Sequence, residues 1–302
     1  MSGTKGMVIY MNLLEVDFYK KVKEQANNKD YEIIVKELEV GAPGERALAS
    51  HYVDYANKQI EISLPSSHDE MVELFIHELI HAELFLKDYP RILRSPEFEY
   101  NEIDEIMAEE IENLAQHYLL YPRMVELGYK HQKENERFLR KVLPRTKRIS
   151  NGPNVILDGF TILEADYRDY EEFKAFETDI ASKNSAGYGF YRRVKRIYSR
   201  ITDQGGMRKA IIKIMNEVEK WAKTAGVNLN YKMKFIVPPV STKYEKEQIC
   251  SKFYEVVTYK GFNHYYIIDK RDRQTVQVVN GQTHTLQGLE NSLNSLTVKD
   301  FF

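Results

Sequence analysis

Cysteine is nearly absent from this chain. With Cys250 alone among 302 residues, no internal disulfide can form, which excludes a disulfide-stapled secreted scaffold and suits a reducing cytoplasm. Cys250 itself reads as a packed residue rather than a nucleophile. Long apolar runs are missing as well. No stretch approaches the roughly 20 residues of a membrane-spanning helix, and residues 1–14 lack the apolar core and small-residue cleavage site of a signal peptide. Net charge is almost nil: 43 Lys and Arg stand against 45 Asp and Glu, for a balance of −2. Such a chain has no long-range pull toward nucleic acid or an anionic membrane. Internal repeats and low-complexity segments are also lacking. What remains is a cytoplasmic globular protein, 43% hydrophobic and long enough for one large or two medium domains.

Histidine is sparse too, with 8 in the chain, yet two of them carry the most informative pattern. Residues His77-Glu78-Leu79-Ile80-His81 spell H-E-x-x-H. Imidazoles four apart on a helix point the same way and can grip one zinc ion. The glutamate between them can take a proton from a water that the metal activates. The surroundings suit a helix. Ser67-His68-Asp69-Glu70 reads as a capping box that starts one just after Ser67. Apolar residues recur through Val72, Phe75, Ile76, Leu79, Ile80 and Leu84, and Asp88-Tyr89-Pro90 stops the helix near Lys87. Leu84 and Ile80 flank the histidines and would keep a metal site dry. Residues 58–64 alternate like a strand just before it.

A catalytic zinc needs a third protein ligand and an open position. After His81 come Ala82-Glu83-Leu84-Phe85-Leu86, so the extended three-histidine motif is absent and the third ligand must come from another helix. Residues 101–121 form the obvious one, with Ile103, Met107, Ile111, Leu114, Tyr118 and Tyr121 as its apolar face. Glu105, Glu109 and Glu112 fall on the opposite, solvated side. Glu110 and His117 are the polar, metal-capable residues that point inward. They lie two turns, about 10 Å, apart, so one zinc does not easily take both. Glu110 is the first choice as ligand, with His117 a transition-state donor or a support for the ligands. The reverse assignment stays open.

The segment 60–115 resembles the small gluzincin core of the ImmA/IrrE-type and SprT-like metallopeptidases: a strand, an HExxH helix, and a second helix with a glutamate. The ImmA/IrrE-type second helix reads roughly E-A-N-x-F-A, and Glu110-Ile111-Glu112-Asn113-Leu114-Ala115 can be laid on it. That resemblance places the family's ligand glutamate on Glu110. Ile111 and Glu112 depart from the pattern, as does Ile80, where the family's H-E-x-G-H commonly has glycine. A second similarity pulls the other way. Asn113-Leu114-Ala115-Gln116-His117, with Tyr121-Pro122 and Leu127-Gly128-Tyr129, looks like HExxH proteins whose second helix carries N-x-x-x-H, and implies His117 as ligand.

The fold expected is α+β. An N-terminal zincin-like domain, 1–143, would contain a helix at 13–25, strands at 31–38, 48–55 and 58–64 with a turn at 41–44, the two metal-bearing helices, and a charged helix from Gly128 to about Val142. Residues 143–153, rich in Pro, Gly and basic side chains, mark the boundary. A C-terminal α+β domain, 154–302, would hold helices at 169–181, 188–201 and 206–225, and a strand at 232–237. A β-meander would follow at 253–259, 264–269, 275–279 and 283–286, with Asn280-Gly281 as a hairpin turn, then a helix at 287–296. This half reads as a substrate- or partner-binding domain. Two basic clusters, one at Arg140, Lys141, Arg145, Lys147 and Arg148, the other at Arg192, Arg193, Lys195, Arg196 and Arg200, raise nucleic acid as a partner, against which balanced solvated helix faces are the preferred reading. His51, His68, His131, His264 and His284 read as surface or turn residues.

The functional expectation is a zinc-dependent metallopeptidase acting on a protein or peptide. His77, His81 and Glu110 hold Zn2+, and Glu78 is the general base with His117 assisting. Two alternatives stand beside it: a non-catalytic binding or regulatory protein on a zincin scaffold, and a zinc hydrolase with a non-peptide substrate.

Overall fold

The computed structural model describes residues 13–38, 49–66, 69–224 and 226–302. The chain is mixed α+β, with helices predominant and small sheets. Helix α1 (Asp17–Asn27) buries Tyr19, Val22 and Ala26 at the three- and four-residue spacing of one helical face. Strands β1 (Glu32–Glu37), β2 (Ser50–Asp54) and β3 (Gln59–Leu64) form a sheet in the order β1-β3-β2. The central strand β3 runs parallel to β1, with Ile33 opposite Ile60, and antiparallel to β2, with Val53 opposite Ile60 and His51 opposite Ile62. Ile60, Ile62 and Leu64 are fully buried. Alternation puts His51 and Val53 on one face of β2 and turns Tyr52, 61% exposed, to the other. The expected turn at 41–44 lies outside the described residues.

Helix α2 (Met71–Leu86) carries the HExxH residues. Twelve of its residues are buried, so it is enclosed on nearly every side rather than amphipathic. It packs on α1 through Tyr19 and Phe75, whose ring centroids are 5.6 Å apart. It stops where Asp88 takes a left-handed φ of 60° ahead of Pro90. Of the expected capping box, Ser67 and His68 lie outside the described residues. The helix begins at Met71, and Glu70, at its N-cap position, does not cap it.

Helix α3 (Glu102–Glu126) starts with a reciprocal cap, Asp104 N–H to Asn101 Oδ1 at 2.9 Å and Asn101 N–H to Asp104 Oδ2 at 3.4 Å. It continues through Pro122 and ends five residues beyond the expected Tyr121, where Gly128 adopts φ 84°. The expected charged helix is shorter: α4 (Gln132–Arg137) passes into a π-helical turn over Phe138–Val142 and a 3-10 turn over Leu143–Thr146. A helix that the sequence reading did not anticipate follows, α5 (Pro153–Arg168), and then α6 (Tyr170–Lys183). Proline at its first position marks the start of α5, but a Pro- and Gly-bearing segment reads equally well as a linker.

The chain divides into two compact units, each drawn from several segments. The first comprises 1–88, 116–145 and 164–178, the second 89–115, 146–163 and 179–302. The expected boundary at 143–153 contains one exchange point, between 145 and 146. Three others fall inside α3, α5 and α6, where a continuous helix leaves no break in composition.

In the second unit, β4 (Leu93–Arg94) pairs with β5 (Phe235–Ile236). The expected strand at 232–237 is a helical turn, Tyr231–Lys234, followed by this short β5. Helices α7 (Ser185–Tyr198), capped by Asn184, and α8 (Gln204–Thr224) precede it. Strands β6 (Tyr254–Thr258), β7 (His264–Asp269) and β8 (Thr275–Asn280) form an antiparallel meander. Helix α9 (Leu286–Ser295) follows. Tyr254, Ile267, Val276, Leu293 and the buried Cys250 share one apolar cluster here. A fourth strand at 283–286 does not form. Gly281 N–H bonds back to Asn263 O at 3.1 Å, and His284 N–H to Asn280 O at 3.2 Å, so the chain curls into α9 instead of making a two-residue hairpin.

Candidate metal centre

The centre is built within the first unit. His77 and His81 sit one turn apart on α2, and their Nε2 atoms face each other at 3.2 Å. A tetrahedral zinc with bonds of about 2.0–2.1 Å holds two ligand nitrogens about 3.3–3.4 Å apart. His117, from α3, completes a triangle of rings: centroids are 4.9 Å apart for His77–His81, 5.1 Å for His77–His117 and 5.3 Å for His81–His117. Three imidazoles on one such ion place their centroids about 5 Å apart, by the same bond lengths. The ring planes are inclined at 59°, 74° and 49°, which lets in-plane lone pairs converge on a common point. One ligand atom from each residue lies within 4.8 Å of the others. The donor set therefore fits a divalent ion with three imidazole ligands and one open position.

The other ring nitrogens are held from outside. Gln116 Oε1 accepts from His81 Nδ1 at 2.5 Å, and Glu164 Oε2 accepts from His117 Nδ1 at 2.8 Å. Each bond leaves Nε2 as the ligand atom. His77 Nδ1 lies 3.3 Å from His131 Nε2. Glu164 in turn accepts from Tyr121 Oη at 2.6 Å and Arg168 Nε at 2.7 Å. Burial pushes its carboxyl up, but the charges of His117 and Arg168 and the bonds from His117 and Tyr121 outweigh that and hold it well below the ordinary range. Burial, aided by neighbouring histidines, pulls His77 and His81 well below the usual imidazole value. Both are therefore neutral near pH 7, the form that binds metal.

Glu78 is 6% exposed. Its Oε2 lies 2.9 Å from Nδ1 of His51 on β2. Burial raises its pKa, partly offset by His81 and His117, which moves it toward the range of a general base working near neutrality. His51, Glu78 and His81 also bring ligand atoms within 4.8 Å of one another. The His51 and His81 rings, however, stack at 4.5 Å with planes only 16° apart. Their lone pairs lie in near-parallel planes and do not meet at one ion, so this trio is a support for Glu78 rather than a second metal seat.

A further support runs behind His77. Glu70 accepts from the backbone N–H groups of Lys133 at 2.7 Å and Glu134 at 3.1 Å, which ties the start of α2 to the first turn of α4. His131, at the N-cap of α4 and 4% exposed, stands between them, its Nδ1 3.9 Å from Glu70 Oε2.

The structure thus brings together His77, Glu78, His81 and His117. Glu110, the other inward candidate, belongs to the second unit. Its charge acts there on Tyr198, whose phenol is pushed up by burial and then by Glu110. Glu112, expected in solvent, is 8% exposed and accepts from Arg91 Nε at 2.8 Å and Ile92 N–H at 2.6 Å. His51 and His131, read as surface or turn residues, are part of the centre. His51 shares a face with Val53, a signal that strand alternation carries. For His131 no local pattern exists. His264 pairs with Glu97 in the second unit, His284 is exposed, and His68 lies outside the described residues. Gln116, Glu164 and Arg168 were not foreseen.

Models of protein families, curated proteins and solved structures were each compared with this chain, and none matches. Among the described residues, no helix is long and apolar enough to cross a membrane.

Proposed function

We propose that this chain is a zinc-dependent metallopeptidase of the HExxH type, with His77, His81 and His117 as the metal ligands and Glu78 as the general base. The observation that carries this reading is the near-equilateral triangle of histidine rings, with Glu78 on the helix that supplies two of them. Zinc, when bound, acidifies a water and polarises a carbonyl oxygen. The side chains do the rest. Glu78 takes the proton of the attacking water and returns it to the leaving amine as the peptide bond breaks. His51 holds the Glu78 carboxylate in position. Glu164, Gln116 and His131 fix the orientation of the three ligand rings, so that little reorganisation is required at the moment of reaction.

Purified protein should contain one equivalent of zinc and hydrolyse a general peptide mixture. The Glu78→Gln variant should keep its zinc and lose hydrolysis by a factor of about 1,000 or more. Unchanged hydrolysis in that variant sinks the role of Glu78.

The second reading is a binding protein that uses the same scaffold without turnover. It is favoured by one observation: Glu78 is buried and already bonded to His51. Stoichiometric zinc in a protein that cleaves no peptide, wild type and Glu78→Gln alike, would select it.

A further inference from the structure

A cavity of about 230 Å³ lies in the first unit, lined among others by Tyr121, Met124, Val125, Tyr129, His131 and Arg168. Three of these also stand at the metal centre. His131 Nε2 is 3.3 Å from His77 Nδ1, the Tyr121 ring is 5.2 Å from that of His117, and Arg168 holds the Glu164 that orients His117. The cavity is smaller than the roughly 300–1,000 Å³ of pockets that enclose whole drug-sized ligands. It suits one side chain rather than a cofactor.

The polar groups of Tyr121, Lys130, Asn135 and Arg168 are already engaged inside the unit. Arg168 donates to Glu164 at 2.7 Å, and its guanidinium lies over the rings of Phe138 and Tyr121 at 4.7 and 5.6 Å. Asn135 Nδ2 donates to Arg168 O at 3.1 Å, and Tyr121 Oη to Glu164 Oε1 at 2.6 Å. Lys130 pairs with Asp169 at 2.5 Å. An ionic ligand entering the depth of this cavity would lose its hydration and find the guanidinium and amide taken. An apolar or aromatic group would meet Met124, Val125, Pro122 and tyrosine rings, and would gain about 25 cal/mol for each Å² removed from water. Lys130, half-exposed, is itself neutralised by Asp169.

We infer that this cavity is the selectivity pocket of the metal centre and receives an uncharged apolar or aromatic side chain of the substrate. The inference rests on the metallopeptidase reading for the word substrate, but the pocket's preference is measurable without turnover.

The test uses the full-length, zinc-loaded protein with N-acetyl-phenylalanine amide, N-acetyl-aspartate amide and N-acetylglycine amide as probes, followed through the NMR methyl signal of Met124. The phenylalanine probe should shift that signal saturably, with at least tenfold higher affinity than the other two. Val125 is 65% exposed, so Val125→Trp fills the mouth without disturbing the core. It should weaken phenylalanine binding at least tenfold while zinc content stays at one equivalent. In a peptide panel, substrates with Phe or Leu beside the cleaved bond should lead in kcat/KM, and Val125→Trp should remove that lead. Equal binding of the aspartate probe, or no saturable shift with phenylalanine, overturns the pocket assignment even if peptides are cleaved. Phenylalanine binding that Val125→Trp abolishes, in a protein that cleaves no peptide, leaves the pocket standing and removes the peptidase.

Discussion

His77 and His81 face each other Nε2 to Nε2 at 3.2 Å, an approach that two neutral lone pairs resist unless a proton or a cation sits between them. The outer nitrogens are already engaged with His131 and Gln116, which turns both Nε2 atoms to the interior. Alanine at His77, His81 or His117 should therefore lower zinc affinity by about 100-fold or more. Glu110→Ala should leave it within about twofold, because Glu110 is not grouped with these ligands. Competition with a zinc-responsive dye measures both. The opposite pattern, zinc lost with Glu110 and kept without His117, would restore Glu110 as the third ligand. Saturating zinc should also stabilise the fold by about 4 kcal/mol at 1,000 times its Kd, read as a rise in Tm that a chelator reverses.

The same two histidines give the metal-free protein a pH dependence. Their imidazoles are held well below the ordinary value when folded, mainly by burial, and regain a pKa of about 6.5 when unfolded. Between the two values the unfolded chain binds more protons than the folded one, so stability rises with pH. It is fully present above about 6.5 and drains away as pH falls toward the depressed folded values, by up to about 1.4 kcal/mol per pH unit for each histidine. Urea unfolding of metal-free protein between pH 7.5 and 5 should show this loss. The His77→Phe/His81→Phe pair should flatten the slope, and an unchanged slope would mean that other groups carry it.

Glu164 gathers His117, Tyr121 and Arg168 around one carboxylate. It is held ionised far below the ordinary range by those partners against the opposing effect of burial. Substituting Glu164→Gln keeps the shape and removes the charge, leaving the Arg168 guanidinium, 18% exposed, without its counter-ion. Stability should fall by about 3 kcal/mol. Zinc affinity should fall about 10- to 100-fold, since His117 becomes a weaker and less oriented ligand. Chemical denaturation and zinc competition report the two effects separately. A stability loss with unchanged zinc affinity would make Glu164 a structural residue only.

Much of this centre was legible along single elements and little of it across them. H-E-x-x-H on a helix, the preceding strand, and the inward position of His117 follow from periodicity, because one helix or strand determines its own faces. Choosing between Glu110 and His117 does not follow, since both point inward and two turns separate them. The partners that finish the site come from elsewhere in the chain: His51 from strand β2, His131 from the N-cap of α4, and Glu164 and Arg168 from α5. That last helix was hidden because Pro153 and Gly152, which open it, are also the residues that mark a linker. The division into units was hidden for a related reason, since three helices run uninterrupted from one unit into the other.

The link between α2 and α4 allows a last separation of roles. Glu70 accepts two backbone N–H groups at the start of α4, the task of a helix cap performed from another helix. Glu70→Ala should expose those donors and cost about 1–2 kcal/mol, with zinc affinity falling only as far as His131 is displaced. His131→Ala leaves the cap in place and removes the nitrogen 3.3 Å from His77 Nδ1. It should cost less stability but lower zinc affinity about tenfold or more, and His131→Gln, which keeps a hydrogen-bonding group in reach, should recover part of that loss. Zinc competition and thermal unfolding on the three single variants and the Glu70→Ala/His131→Ala double decide the matter. If the two losses in zinc affinity add without coupling, Glu70 acts on the metal centre by a route independent of His131. If the double variant loses no more zinc affinity than His131→Ala, Glu70 reaches the metal centre only through His131.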